Sequence, residues 1–280
     1  MSAKTMTGFA PVKASSFAKT ANMLDLHPTG LKIPRKNPLE IFGEPQAGKT
    51  LYSLYLTKKF QEQLNTDKPA LVIRCEKFDS ETVAIASERF EIDPDVVDLF
   101  PDSAPKRLLE WFGVKHVYEV DDKTGRIDVA VLDDNPVESL RKSIFARYSV
   151  VMIDTLTSVL NTITSAGLKN FPARNMYENI VLTFIELLQA FTGVFFISTH
   201  EHSKNITQPY STIEVKGGKE IERRCDYILR LTSGGSGENR VFNVYTKRWS
   251  LVYPENTYIC SMVLRDKDFI RLERRREVNE

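Results

Sequence analysis

Short apolar runs alternate with longer helical patterns along the first two thirds of the chain. Four of the runs are typical of buried strands; they are Leu39–Phe42, Ala70–Glu76, Val150–Thr155 and Val194–His200. Apolar residues recur at helical spacing in three stretches between them; these are Thr50–Leu64, the segment from Ser80 to Phe90, and a long segment that Pro172 opens. This alternation predicts an α/β fold with a mostly parallel, twisted sheet flanked by helices.

The last third of the chain has a different pattern. Three β segments follow one another there without a helical pattern between them: Asp226–Leu231, Val241–Thr246 and Tyr258–Leu264. The glycine-rich turn Ser233–Gly237 joins the first two and indicates an antiparallel hairpin. We therefore expect an antiparallel C-terminal extension of the sheet, followed by a solvated basic tail that contains Arg274, Arg275 and Arg276.

The first 38 residues carry no stable hydrophobic period and are rich in Ser, Thr, Ala, Lys and Pro. We interpret residues 1–38 as an irregular N-terminal extension and residues 39–280 as one domain with a basic tail. The extension is either a tail or a tether that inserts Phe9 or Phe17 into a neighbouring subunit.

Composition limits the cell compartment and the mode of nucleic-acid binding. The formal net charge of +1 gives no global attraction to nucleic acid, so any DNA contact must come from a local basic patch. The three cysteines are an odd, unpatterned set, which favours a reducing compartment. No apolar run approaches the length of a membrane span, and no signal-peptide pattern opens the chain. We expect a cytoplasmic protein without a membrane partner.

The junction between the first predicted strand and helix has the spacing of a P-loop, a glycine followed by four residues and Gly-Lys-Thr. The predicted nucleotide-binding residues are Gly43, Glu44, Pro45, Gln46, Ala47, Gly48, Lys49, Thr50 and Leu51. The glycines allow successive backbone N–H groups to turn toward phosphate oxygens, and Lys49 supplies a positive charge for the β- and γ-phosphates. The pattern predicts ATP and Mg²⁺ as ligand and cofactor, with the Thr50 hydroxyl on the metal.

Asp154 ends the wholly apolar run Val150–Ile153. Ligands of doubly wound α/β sheets sit at the carboxyl ends of the strands, so Asp154 is placed to hold Mg²⁺ directly or through water. The alternative role is that of a helix N-cap.

In this order, five features resemble the core of the RecA/RadA recombinase family. They are the P-loop at 43–50, a strand ending in Glu76, the Asp154 strand, the strand end Ser198-Thr199-His200, and the pair Gly217-Gly218. The resemblance covers about residues 39–265, and segments such as Ser87–Asp93 and Ile153–Ser158 are similar to the archaeal RadA pattern. Because the loop 201–216 is only modestly basic and residues 1–38 are short and irregular, the chain is most similar to the archaeal RadA paralogs. The resemblance implies a RecA-like P-loop core.

The resemblance also implies roles for single residues. Glu76 would be the catalytic carboxylate that orients and deprotonates the attacking water beside Lys49. Thr199 and His200 would sense the γ-phosphate, although RadA-like recombinases have Asn-Gln where this chain has Thr-His. Lys247 and Arg248 would be a finger reaching a neighbour's nucleotide, which requires an oligomer; their alternative role is at a solvent-facing strand end.

A loop over 201–219 would bind single-stranded DNA through Lys204, Tyr210 and Lys216, because basic and stacking groups line such grooves. The implied activity is that of an ATP hydrolase that assists recombinational DNA repair as a RadA paralog, alone or beside a main recombinase, in a homo- or hetero-oligomer. Three alternatives remain: a KaiC-like regulatory ATPase without a DNA role, a non-hydrolysing ATP-binding adaptor of a recombinase, and a DnaB-like helicase core. His200 and His202 also admit a metal pair.

Overall fold

A large mixed β-sheet with helices on both faces makes this an α/β protein. The computed structural model describes residues 23–76, 80–99, 107, 110–111, 135–158, 182–204, 212–215, 219–235, 237, 240–249 and 253–273. Its strands are β1 (Met23–Leu26), β2 (Leu31–Pro34), β3 (Leu39–Gly43), β4 (Ala70–Arg74), β5 (Asp95–Asp98), β6 (Val150–Asp154), β7 (Val194–Lys204), β8 (Thr212–Val215), β9 (Tyr227–Gly234), β10 (Val241–Trp249), β11 (Thr257–Arg265) and β12 (Asp268–Arg271). Its helices are α1 (Lys49–Leu64), α2 (Ser80–Phe90), α3 (Pro136–Leu140), α4 (182–188) and α5 (Lys219–Arg224).

The strand order in the main sheet is β12-β11-β10-β9-β3-β7-β6-β4-β5. Every neighbouring pair from β9 to β5 is parallel, whereas the pairs from β9 to β12 are antiparallel. The predicted antiparallel C-terminal extension is therefore confirmed. Because β3 lies between β7 and β9, the loop that follows it opens near the middle of the sheet's carboxyl edge.

Alternate residues of the central strands enter two hydrophobic cores, one on each face of the sheet. Leu39 and Ile41 of β3 pack in a core with α1 and α2, whereas Phe42 of the same strand packs on the other face with α3, α4 and α5. Burial on both faces is the reason that the parallel strands are continuous apolar runs. The same property made these strands predictable from the sequence.

Part of the predicted N-terminal extension has regular structure. Residues 23–34 form the antiparallel hairpin β1–β2, and its alternate residues Leu24, Leu26, Leu31 and Ile33 are buried in the core beside α1. The expectation of an irregular segment is thus wrong for these residues, because two strands of four residues bury one face each. Residues 1–22 lie outside the described part of the chain, as do the basic residues 274–276.

The segment predicted as a loop over 201–219 also differs from expectation. Strand β7 continues to Lys204 and pairs antiparallel with β8, and helix α5 begins at Lys219. The ladder continues because Glu201 to Lys204 find backbone partners in Thr212 to Val215. Within the described residues, no helix is both long enough and apolar enough to cross a membrane.

Candidate functional site

The P-loop leads from the end of β3 into the N-terminus of α1. Gly48 stands at the N-cap with φ of +88°, a left-handed conformation that glycine adopts without steric cost. Gly48 has no side chain with which to cap the helix, so the N–H groups of the first turn rely on other partners, such as a bound ligand. A helix N-terminus with free N–H groups favours anions, phosphates in particular.

Both P-loop glycines are also required by close packing. A Cβ on Gly43 would lie 2.1 Å from the carbonyl oxygen of Leu231 in β9. A Cβ on Gly48 would lie 2.4 Å from Cε1 of Phe242, whose ring is buried at the start of β10. Strands β9 and β10 therefore pack directly against the P-loop, and a larger residue in place of Gly43 or Gly48 would displace the loop.

The ammonium of Lys49 is buried at the base of the loop. Its Nζ donates to the carbonyl oxygens of Glu44, at 2.8 Å, and Gly43, at 3.2 Å. It also lies 3.4 Å from Nδ1 of His200, which pairs in β7 with Gly43 at the end of β3. The predicted phosphate-binding cation and the predicted γ-phosphate sensor are thus in contact.

Thr50 and Asp154 also come together, as the predicted metal site requires. The Thr50 hydroxyl donates to Oδ2 of Asp154 at 2.5 Å, and Asp154 is almost fully buried. The other oxygen, Oδ1, accepts hydrogen bonds from the hydroxyls of Thr155, at 3.0 Å, and Ser198. These donors fix the carboxylate so that Oδ2 points at Thr50. A hydroxyl and a carboxylate oxygen on adjoining elements are the hard ligands that Mg²⁺ prefers.

Glu76, two residues past the end of β4, completes the group. Its Oε1 lies 2.9 Å from Nε2 of His200 and accepts a hydrogen bond from the hydroxyl of Ser158. Lysine has only donors, so the contact with Lys49 makes Nδ1 of His200 the acceptor, and Nε2 then carries the proton toward Glu76. The arrangement is therefore a line from Lys49 through the imidazole of His200 to the carboxylate of Glu76.

The turn after β6 supplies hydroxyl groups to three parts of the site. Thr155 donates to Asp154, Thr157 accepts from the backbone N–H of His200 at 2.9 Å, and Ser158 donates to Glu76. The sequence analysis assigned no role to these hydroxyls or to that of Ser198. Their proximity to the predicted residues follows from the pairing of β6 with β4 and β7.

Five of the residues described above, Lys49, Thr50, Glu76, Thr155 and His200, line one cleft of about 390 Å³, within the range of small-molecule sites. The cleft is lined by Pro45, Gln46, Gly48, Lys49, Thr50, Leu51, Glu76, Thr82, Thr155, His200 and Arg240. Most of the predicted nucleotide-binding residues are present, together with Glu76 and His200. Arg240 was not predicted from the sequence.

Thr199, predicted as a sensor beside His200, points away from the cleft. Successive side chains of a strand face opposite sides, and Thr199 is fully buried with its hydroxyl donating to Oε1 of Glu40 at 2.8 Å. Burial raises the pKa of the Glu40 carboxyl to about 8. The sensor prediction therefore narrows to His200, and Thr199 joins β7 to the strand that carries the P-loop.

The predicted finger residues lie far from this chain's own P-loop. Lys247 pairs with Glu255, and Arg248 donates to the carbonyl oxygens of Glu222 and Cys225. Arg248 is six positions along β10 from Phe242, which is roughly 20 Å at about 3.3 Å per residue. A role in trans stays a prediction, and it requires Arg248 to leave these carbonyls.

The side chains of the predicted DNA-binding residues lie outside the described part of the chain. Lys204 ends β7, but its side chain is outside the described part, as are Tyr210 and Lys216. The described residues also contain no group of three or more His, Cys, Asp or Glu side chains that could hold a metal. This leaves Thr50 and Asp154 as the candidate metal ligands.

Comparison with known proteins does not assign the chain to a family. No protein-family model matches it, and no curated protein matches it at the threshold for similarity. The functional argument therefore depends on the cleft and on the sequence motifs.

Proposed function

We propose that this protein is a Mg²⁺-dependent ATPase. The observation that carries the proposal is the convergence of five predicted residues: Lys49, Thr50, Glu76 and His200 line one cleft, and the buried Asp154 accepts a hydrogen bond from Thr50. They lie on or directly after three strands, β4, β6 and β7, and at the N-terminus of α1, at the carboxyl edge where parallel α/β sheets bind ligands. A structural ion-pair cluster alone would not require the P-loop glycines or an open helix end.

The P-loop and Lys49 would bind the triphosphate. The N-terminus of α1 and the ammonium of Lys49 offer positive potential to the β- and γ-phosphates. Lys49 would exchange its carbonyl partners for phosphate oxygens, which are stronger acceptors because they are charged. Thr50 and Asp154 would hold the Mg²⁺, which neutralises phosphate charge when it is bound.

Glu76 is the residue that would handle the attacking water. Its carboxylate is held from two sides, by Ser158 and by His200, so one orientation is fixed before the substrate arrives. A fixed carboxylate at the γ-phosphate end accepts the proton that water gives up as it attacks phosphorus. His200 would report the γ-phosphate, since it contacts both Lys49 and Glu76 and so links occupancy of the phosphate site to the base.

Within this activity, we propose a RecA/RadA-type core and the role of a RadA paralog that binds single-stranded DNA and assists recombinational repair. The support is the ordered resemblance of the motifs and the central position of β3 between β7 and β9. The rival proposals keep the same cleft: a KaiC-like ATPase would have no DNA role, and an adaptor would bind ATP without hydrolysing it.

ATP turnover by the purified protein tests the proposal, with Lys49→Ala as the inactive variant and single-stranded DNA added at several salt concentrations. Hydrolysis that Lys49→Ala abolishes supports the ATPase. Stimulation by DNA that declines steeply with salt supports the paralog, because phosphate contacts release counterions. Turnover indifferent to DNA favours the KaiC-like alternative, and ATP binding without turnover favours the adaptor.

A further inference from the structure

Arg240 lies on the opposite side of the P-loop from the residues that would act on the γ-phosphate. Glu76, Asp154 and His200 belong to β4, β6 and β7 or follow them, on one side of β3 in the sheet order. Arg240 immediately precedes β10, two strands away from β3 on the other side. Among the described residues that line the cleft, it is the only arginine.

The guanidinium of Arg240 is held in place from two directions. Its Nη2 donates to the Ser233 hydroxyl at 2.9 Å, and its Cζ lies 5.3 Å from the centre of the Phe242 ring. The same ring is the one that a Cβ on Gly48 would meet at 2.4 Å. Phe242 therefore fixes the distance between the P-loop and the guanidinium. A ligand bound to the P-loop would meet the guanidinium at that distance.

Arg240 lines the cleft with a guanidinium that has more donors than its contact with Ser233 uses. A guanidinium has five N–H donors, and within the described part of the chain Ser233 is its one hydrogen-bond partner. The residue is half-buried and lines the cleft, so the remaining donors are open to a ligand there. A planar fork of donors matches the oxygens of a phosphate group better than an ammonium does.

We propose that Arg240 binds the nucleoside end of the nucleotide, through the α-phosphate. This inference rests on the proposed function. It adds to Lys49 a second cationic side chain of the same chain that would hold the nucleotide. The γ-phosphate end of the ligand is fixed by Lys49, His200 and Glu76 on the β7–β4 side. The chain of phosphates then runs across the P-loop, and the phosphate nearest the nucleoside comes to the β10 side, where Arg240 is.

Calorimetric titration with ATP and with ADP tests the assignment in the full-length protein. Both ligands carry the α-phosphate, so Arg240→Ala is expected to weaken both by the same factor, roughly 10–100-fold for a charged hydrogen bond. Arg240→Lys keeps the positive charge but loses the planar fork of donors. Its affinity for both nucleotides is expected to lie between those of wild type and Arg240→Ala. Arg141→Ala, an exposed arginine that does not line the cleft, is the matched control and should bind as wild type does.

Turnover gives a second readout that a merely structural role would not produce. An anchor used equally in ground and transition states raises KM and leaves saturating turnover within about twofold of wild type. Unchanged binding of both nucleotides by Arg240→Ala overturns the inference while the ATPase proposal stands. A loss confined to ATP places Arg240 at the γ-phosphate and also overturns it. Failure of the wild-type protein to bind either nucleotide overturns the inference together with the proposed function.

Discussion

Glu40 carries a buried carboxyl group whose ionisation should limit the stability of this protein at high pH. It is fully buried in β3, three residues before the P-loop. One carboxyl oxygen accepts a hydrogen bond from Thr199, and the other has no hydrogen-bond partner within the described residues. Burial is the main cause that raises its pKa from the ordinary value of 4.5 to about 8. The neutral form is therefore native at neutral pH.

The sign and the size of the effect follow from proton linkage. In the unfolded chain Glu40 ionises near 4.5, whereas in the folded chain it holds its proton up to about 8. Unfolding releases a proton between these values, so raising the pH favours the unfolded state by ~1.4 kcal/mol per pH unit. Across the whole interval the loss is about 5 kcal/mol, a large share of the 5–15 kcal/mol typical of a domain.

Glu40→Gln isolates this contribution. The amide is close in shape, its carbonyl oxygen still accepts from Thr199, and it cannot ionise. We expect the difference in unfolding free energy between wild type and Glu40→Gln to shift by about 4 kcal/mol in favour of the variant from pH 5 to pH 9, since the effect begins near pH 4.5. Urea denaturation at each pH measures it, and the difference cancels other groups that titrate in both proteins.

The control is Glu88→Gln, which removes a carboxylate from the exposed face of α2. The unfolding free energies of wild type and Glu88→Gln should differ by a nearly constant amount over the same pH range. If wild type and Glu40→Gln also keep a constant difference, the carboxyl of Glu40 does not stay protonated in the folded protein. The reasoning from its burial would then be refuted.

Two further predictions concern the cleft. Gly48→Ala should destabilise the fold by about 1–3 kcal/mol and weaken ATP binding, because φ is +88° and the new methyl group meets Phe242. Thermal denaturation measures the loss of stability. The control is Gly234→Ala, whose Cβ meets nothing within 4 Å and which should melt near the wild-type temperature. Ser198→Ala removes a donor that orients Asp154, so the Mg²⁺ concentration at half-maximal turnover should rise about tenfold or more, and an unchanged Mg²⁺ dependence would contradict this role.

The sequence predicted the part of the fold that hydrophobic runs encode. Strands buried on both faces give continuous apolar runs, so β3, β4, β6 and the start of β7 were found together with α1. The hairpin β1–β2 was missed because an alternating pattern over four residues is too short to separate from chance. The continuation of β7 into a hairpin with β8 depends on backbone pairing, which the mixed polar residues there do not indicate.

The residues of the candidate site also include some that the sequence predicts and some that it does not. Lys49, Thr50, Glu76, Asp154 and His200 were predicted because a motif or the end of a strand identifies each of them. In the structure Asp154 is hydrogen-bonded to Thr50, and the other four line one cleft. Hydroxyl groups that orient the carboxylates were missed, because serine and threonine are common and only the alignment of neighbouring strands selects those that contribute. Arg240 was missed for a related reason. Order along the chain does not reveal that β10 lies two strands from β3.

The central claim is that this cleft hydrolyses ATP with Glu76 as the base, and Glu76→Gln tests it most directly. The change keeps the shape of the side chain and removes its ability to accept a proton. ATP affinity should stay within about threefold of wild type, while turnover should fall by about 100-fold or more, the usual contribution of a general base. Turnover that survives the substitution at the wild-type rate would contradict the account.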